Sequence, residues 1–198
     1  MERKNSKSSK RKINFRRIRS CYWYSFLELL AVKSKFFHNL LIDWRKPVFL
    51  DEIKMANITD KDNILLIGCG IFPTETMIIS KETKANVVGI DNSPKAVKLA
   101  NKFVKKQNIS DSVSIKFGDG ANFPVKDFDK VFIAINVWPI DSVLNNLSKN
   151  LKPNATVMCR GMKSDIDNIL NNQGTLKNFK LQSSVKRIRT ESYLLTKK

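Results

Sequence analysis

The chain has 198 residues, of which 42% are hydrophobic and 27% charged. That balance suits one soluble globular domain and excludes a low-complexity or fibrous chain. A net charge of +18 is spread unevenly: residues 1–20 hold nine Lys/Arg against one Glu, residues 173–198 hold seven against one, and the stretch between carries only +4. Cys21, Cys69 and Cys159 lie too far apart for a CxxC metal site and cannot all pair, which points to a reducing cytoplasm. The single histidine, His38, sits among Phe36, Phe37, Leu40 and Leu41 and is expected to pack, so no metal centre is expected.

In chain order, residues 1–19 are poor in apolar residues and rich in Lys, Arg, Ser and Asn, so a disordered basic tail is expected. Such a tail serves either as an anchor for RNA, DNA or an anionic membrane, or simply as a solvated end. The charged start runs into no clean apolar core, so no secretory signal is read. Tyr22 to Trp44 contains Glu28, Lys33, Lys35, His38 and Asp43, too many polar groups for a membrane span. It does carry helix-spaced Trp23, Phe26, Leu27, Leu30, Phe37, Leu41 and Trp44. A helix packed on the main domain or covering its mouth is expected, with a helix lying at a membrane surface as the alternative. Pro47 is expected to end this helix, and Val48–Met55 to form a second short one. Residues 20–57 thus read as N-terminal covering helices.

From there strands and helices alternate. Ile64–Ile67 reads as a buried strand, Pro73–Lys84 as a helix and Asn86–Ile90 as a second strand. Ser93-Pro94 supplies a cap and a first-turn proline for a helix reaching about Gln107. Val113–Phe117 and Lys130–Ile135 read as strands, Ile140–Leu151 as a helix and Ala155–Cys159 as a fifth strand. A short helix over Ser164–Asn171 and two closing strands, Phe179–Val185 and Tyr193–Thr196, complete the pattern. Strands alternating with helices mean a parallel sheet covered on both faces.

Chemistry concentrates where the first strand ends. Gly68 and Gly70 permit a sharp turn and close approach of a ligand to the main chain. Asp91, twenty-one positions after Gly70, closes the second strand, where a carboxylate can accept from a ribose diol. Such a charge-assisted contact contributes roughly 1.5–3 kcal/mol. The third glycine of a dinucleotide turn is replaced by Pro73, which has no N–H for a phosphate, and Phe72 adds bulk. A nucleoside cofactor without phosphate, such as S-adenosylmethionine, fits better. A plainer reading stands beside this one: the glycines serve only the turn, Asp91 caps the next helix and Asp119 closes an Asx-turn.

Ile67-Gly68-Cys69-Gly70, then Asp91, then Gly118-Asp119-Gly120-Ala121, with Phe128-Asp129-Lys130-Val131-Phe132 and the paired final strands, resemble a class I S-adenosylmethionine-dependent methyltransferase over residues 58–198. The resemblance implies an α/β, Rossmann-like, doubly wound and mostly parallel seven-stranded sheet with N-terminal covering helices. It implies that Ile67, Gly68, Cys69 and Gly70 pass the methionine end, that Asp91 and Asn92 take the ribose, and that Asp119, Gly120 and Ala121 meet the adenine. Asn136, Trp138 and Asp141, after the fourth strand, are expected to hold the acceptor, with Asn136 also near the cofactor.

Asn136-Val137-Trp138-Pro139 lacks the Asn/Asp-Pro-Pro-aromatic pattern of methyltransferases acting on exocyclic base amines. That weakens methylation of base amino groups and leaves other RNA targets open; a small-molecule acceptor is favoured, with an RNA docked through the basic ends as an alternative. The proline-bearing turn also resembles nicotianamine synthase-like enzymes, which transfer the aminocarboxypropyl arm of the same cofactor; Glu28 is the candidate for their acceptor chemistry. A cofactor-fold module that binds without catalysis is the reading from a different class.

Overall fold

A computed structural model describes residues 23, 26–161, 177–186 and 190–198. The tail expected over residues 1–19 and the helix expected over Ser164–Asn171 lie outside the described residues. Helix α1 covers residues 26–33 and α2 covers Lys35–Met55. They are followed by β1 (Asn63–Ile67), α3 (Thr74–Thr83), β2 (Asn86–Asp91), α4 (Pro94–Lys106), β3 (Val113–Phe117), β4 (Lys130–Ile133), α5 (Ile140–Asn150), β5 (Thr156–Gly161), β6 (Phe179–Lys186) and β7 (Glu191–Lys197).

The strands form one sheet in the order β3-β2-β1-β4-β5-β7-β6. β1 pairs in parallel with β2 and β4, as do β2 with β3 and β4 with β5. β7 runs antiparallel between β5 and β6. This is the Rossmann-like, doubly wound, mostly parallel arrangement expected. Because side chains alternate across a strand, successive β1 residues supply opposite cores. Leu65 and Ile67 pack with Ile140, Val143, Leu144 and Leu147 of α5 on one face. Ile64 and Leu66 pack with Ile79 of α3 and Ala100 and Val104 of α4 on the other. Both faces are dry, which explains why β1 is apolar from Ile64 to Ile67 rather than alternating. The chain winds from β1 toward β3, then returns to lay β4 on the other side of β1. That reversal leaves a crevice beyond the carboxyl ends of β1 and β4.

Three expectations need correction. Pro47 does not end a helix: α2 runs through it from Lys35 to Met55. The carbonyl that loses its partner belongs to Asp43, an exposed residue that water can serve, while Leu41, Phe49 and Glu52 stay buried on either side of the proline. The break falls instead at Ser34, whose extended backbone (φ −127°, ψ 124°) separates α1 from α2. Strand β4 stops at Ile133 and not at Ile135, so Ala134 to Val137 form a turn bordering the crevice. By contrast, Ser93 caps α4 as read, its Oγ accepting from the Ala96 N–H at 3.3 Å with Pro94 in the first turn. His38 packs: its ring lies 5.2 Å from those of both Phe72 and Phe103.

Candidate functional site

The crevice is a cavity of about 990 Å³. Its floor is built from the strand ends: Ile67 to Gly70, Asp91 and Asn92, Gly118 to Gly120, and Ala134 to Trp138. α1 contributes Leu27 and Glu28 to the lining, with Trp23 just before them, and α2 contributes Trp44, Arg45, Val48 and Phe49. Thr74 and Glu75 at the start of α3 and Arg160 of β5 close one side.

The glycine turn is required by conformation and by space. Gly68 has φ +85° and Gly70 φ +70°, in the left-handed region that costs other residues about 1–2 kcal/mol. A Cβ on Gly68 would stand 2.6 Å from Val137 Cγ2, and one on Gly70 would stand 2.7 Å from a Glu28 carboxylate oxygen. Asp91 holds the turn from beneath. Its Oδ2 accepts from the Gly70 N–H at 3.0 Å, and its Oδ1 accepts from the Ser93 N–H at 2.9 Å. The cap of α4 is thus Ser93, which Asp91 supports through an Asx-type contact, and a carboxylate offers about four lone-pair positions. The two left over sit on a residue that lines the crevice.

The loop after β3 is held the same way. Asp119 Oδ1 accepts from the Ala121 N–H at 2.9 Å, closing an Asx-turn. Asn146, buried on α5, donates to the carbonyls of both Gly120 and Phe123 at 2.9 Å. A Cβ on Gly120 would meet Ile67 Cγ2 at 2.6 Å, so this loop sits directly against the end of β1.

Carboxylates dominate the electrostatics of this crevice in an otherwise basic chain. Glu28, Glu75, Asp91 and Asp119 line it, opposed by Arg45 and Arg160. Arg160 is buried and paired with the fully buried Glu52, through Nε to Oε1 at 2.9 Å and a second contact between Nη2 and Oε2. Its Nη1 reaches Glu75 Oε1 at 2.7 Å, and Ser192 donates to Glu52 Oε1 at 2.6 Å. Burial alone would lower the Arg160 pKa, but Glu75 and Glu52 raise it, so the guanidinium stays charged. The other Glu75 oxygen is buried with no hydrogen-bond partner. Burial pushes the Cys69 thiol up, and the charges of Asp91, Glu28 and Glu75 push it further, so Cys69 is no nucleophile.

Glu28 is pushed up to about 7. Burial is the main cause, Arg45 and the Ile71 N–H oppose it, and Glu75 and Asp91 add to it. The folded state therefore binds more protons than the unfolded one between pH 4.5 and about 7, and stability falls as pH rises through that window. Glu28→Gln should gain stability relative to the parent as pH is raised across the window, read from urea denaturation on either side of it. Parallel pH dependences would show that Glu28 is not buried in this way.

Of the residues expected from sequence, Ile67, Gly68, Cys69, Gly70, Asp91, Asn92, Asp119, Gly120, Asn136 and Trp138 meet at this one crevice. Ala121 and Asp141 stand outside its lining; Asp141 lies in the first turn of α5. Glu28, read only as a candidate, is central. Arg45, Glu75, Arg160 and Asn146 were not anticipated, since their partners lie between 17 and 108 positions away and leave no local pattern.

An acidic, half-roofed cavity with two glycines at its floor suits a ligand carrying cationic centres and hydroxyls. Comparison with known proteins agrees. A family model described as a methyltransferase domain matches residues 58–193. The demethylmenaquinone methyltransferase of Lactobacillus johnsonii is 32% identical over 121 residues, 58% of this chain and 48% of that protein. The chain therefore spans about half the length of this curated relative. Among solved structures, a nicotianamine synthase variant in complex with S-adenosylmethionine has a TM-score of 0.74 at 16% identity, covering 91% of this chain and 74% of the other. An RNA methyltransferase from Salinibacter ruber in complex with S-adenosyl-L-homocysteine has a TM-score of 0.60 at 20% identity, covering 76% and 90%.

Proposed function

Because the chain belongs to the class I S-adenosylmethionine-dependent methyltransferases, we propose that it transfers the methyl group of that cofactor to a small acceptor held beneath α1 and α2. The observation that carries the reading is the meeting of the Gly68–Gly70 turn and the Asp91 carboxylate at one crevice, at the point where the strand order reverses. The residues present suit the cofactor: the spare acceptor capacity of Asp91 matches ribose hydroxyls, and the unpartnered Glu75 oxygen and Glu28 match cationic centres. When bound, the cofactor supplies a methyl carbon on a sulfonium whose departure leaves a neutral thioether.

The protein's own residues then have limited tasks. Asp91 and Asn92 hold the sugar, and the Asp119–Gly120 loop, fixed by Asn146, borders the base. Gly68 and Gly70 bring the main chain close to the amino-acid end. Leu27, Trp44 and Val48 exclude water above, which matters because alkyl transfer depends on alignment at about 3–3.5 Å more than on a strong base. Asn136 and Trp138, at the open end of β4, orient the acceptor. A roofed cleft favours a small molecule over a nucleic-acid strand. Steep loss of turnover with salt, combined with loss on deleting residues 1–19, would instead support an RNA acceptor.

A second reading is aminocarboxypropyl transfer, the chemistry of nicotianamine synthase-like enzymes. It is favoured by Glu28, whose carboxylate reaches from α1 to the Gly70 turn and whose proton affinity near pH 7 suits taking a proton from an amine nucleophile. The by-product separates the two. Incubation of the purified protein with S-adenosylmethionine and a fractionated lysate should yield S-adenosylhomocysteine. Methylthioadenosine would replace the methyl reading with the second one, and neither product would leave binding without catalysis.

A further inference from the structure

We propose that the outer face of α1 and α2 is a docking surface for an anionic lipid bilayer, with the crevice mouth turned toward the lipid. Phe36, Leu40 and Trp44 repeat every four residues along α2 and are 71%, 54% and 62% exposed. Phe37, beside them, is also exposed, and Trp23 and Phe26, with rings 6.1 Å apart before and within α1, are 61% and 51% exposed. The opposite side of α2 carries the buried Leu41, Phe49 and Glu52, so the first half of the helix presents Phe36, Leu40 and Trp44 on the side that the domain does not use, with the exposed Asp43 and Asp51 at its margin. A soluble surface rarely leaves so many large aromatics together without a partner.

Charge identifies the partner. Residues 1–20, immediately before this face, hold nine Lys/Arg against one Glu, and Lys33 and Lys35 are exposed between the two helices. Aromatic rings beside cationic side chains are the composition of a helix lying in the headgroup region of an anionic leaflet. A second copy of the chain is disfavoured, since each copy carries a net charge of +18 and the two would repel. Residues 1–20 offer only Met1, Ile13, Phe15 and Ile18 as apolar cover. No helix among the described residues is long and apolar enough to cross a membrane, so the face lies on the surface. Trp23 and Trp44 both border the crevice and reach this face, which is why docking would set the mouth against the lipid.

The test is co-sedimentation of the full chain with phosphatidylcholine vesicles, with and without phosphatidylglycerol, for the parent and for Phe36→Glu/Leu40→Glu. Neither substituted residue lines the crevice, so calorimetric affinity for S-adenosylmethionine reports whether the variant is folded. The parent should pellet with the anionic vesicles and weakly with the zwitterionic ones, and the variant should lose at least about tenfold in partitioning. Tryptophan fluorescence of the parent should also be quenched by brominated lipid in anionic vesicles, a readout that needs no variant. Absence of quenching overturns the proposal. So does undiminished binding by the variant, which would leave only the basic ends acting on any polyanion, RNA included. A parent dimer that the variant splits would assign the face to a second copy instead.

Discussion

Asp91→Ala should weaken S-adenosylmethionine binding by about 1.5–3 kcal/mol, roughly ten- to a hundredfold, as read by isothermal titration calorimetry. Two losses combine. The side chain supplies the acceptor proposed for the ribose hydroxyls, and it also holds the Gly70 and Ser93 N–H groups that shape the turn. Asp91→Asn keeps one carbonyl oxygen for a single acceptor role and should fall between the parent and the alanine variant. A folded Asp91→Ala protein with the parent's affinity would reduce Asp91 to a support for the Gly70 turn and the Ser93 cap. The circular dichroism melt accompanies the titration because the turn contacts contribute to the fold as well.

Arg160→Met should cost about 3–5 kcal/mol of stability, since it strands a charged Glu52 in a fully buried position. The guanidinium also bridges to Glu75 and lies 4.9 Å from the ring centre of Phe49, tying α2 and α3 to β5. Losing it therefore loosens the roof together with the wall. Urea denaturation of Arg160→Met, Glu52→Gln and the double variant separates the terms. The double variant should be less destabilised than the sum of the singles, because it no longer strands a charge at the fully buried position 52 and leaves only Glu75 without its cation. Additive losses would mean that the pair is not coupled as its geometry implies.

These two effects differ in how they were written into the chain. Asp91 was visible because its role is local to a strand end: an apolar run stops, a carboxylate follows, and a serine-proline cap opens the next helix. The glycine turn was visible for the same reason, since a buried strand that ends in two glycines has few other uses. A parallel sheet covered on both faces follows from the alternation of strands and helices and from the apolar run Ile64–Ile67, whereas the strand order does not. The Arg160–Glu52 pair joins residues 108 positions apart, and nothing near either one marks it. Arg160 sits inside an otherwise apolar strand, and an arginine there signals a buried partner without saying which.

Helix α2 misled for a physical reason. Proline removes one hydrogen bond, but burial of Leu41 and Phe49 and the pairing of Glu52 with Arg160 outweigh that loss when the freed carbonyl faces water. Local propensity could not weigh that packing. Glu28 was ambiguous from sequence because only the arrangement of α1 over the Gly70 turn removes it from water and moves its proton affinity toward neutrality. The aromatics of α1 and α2 leave both packing on the domain and lying at a membrane surface open from sequence, since helix spacing alone does not tell which face the domain will cover.

The most direct measurement is a crystal structure of the protein with S-adenosylhomocysteine. The adenosyl group should lie in the crevice, with its ribose hydroxyls within hydrogen-bonding distance of the Asp91 carboxylate and its amino-acid end passing Gly68 and Gly70. A complex in which Asp91 serves only Gly70 and Ser93, with the ligand bound elsewhere or not at all, would contradict that placement.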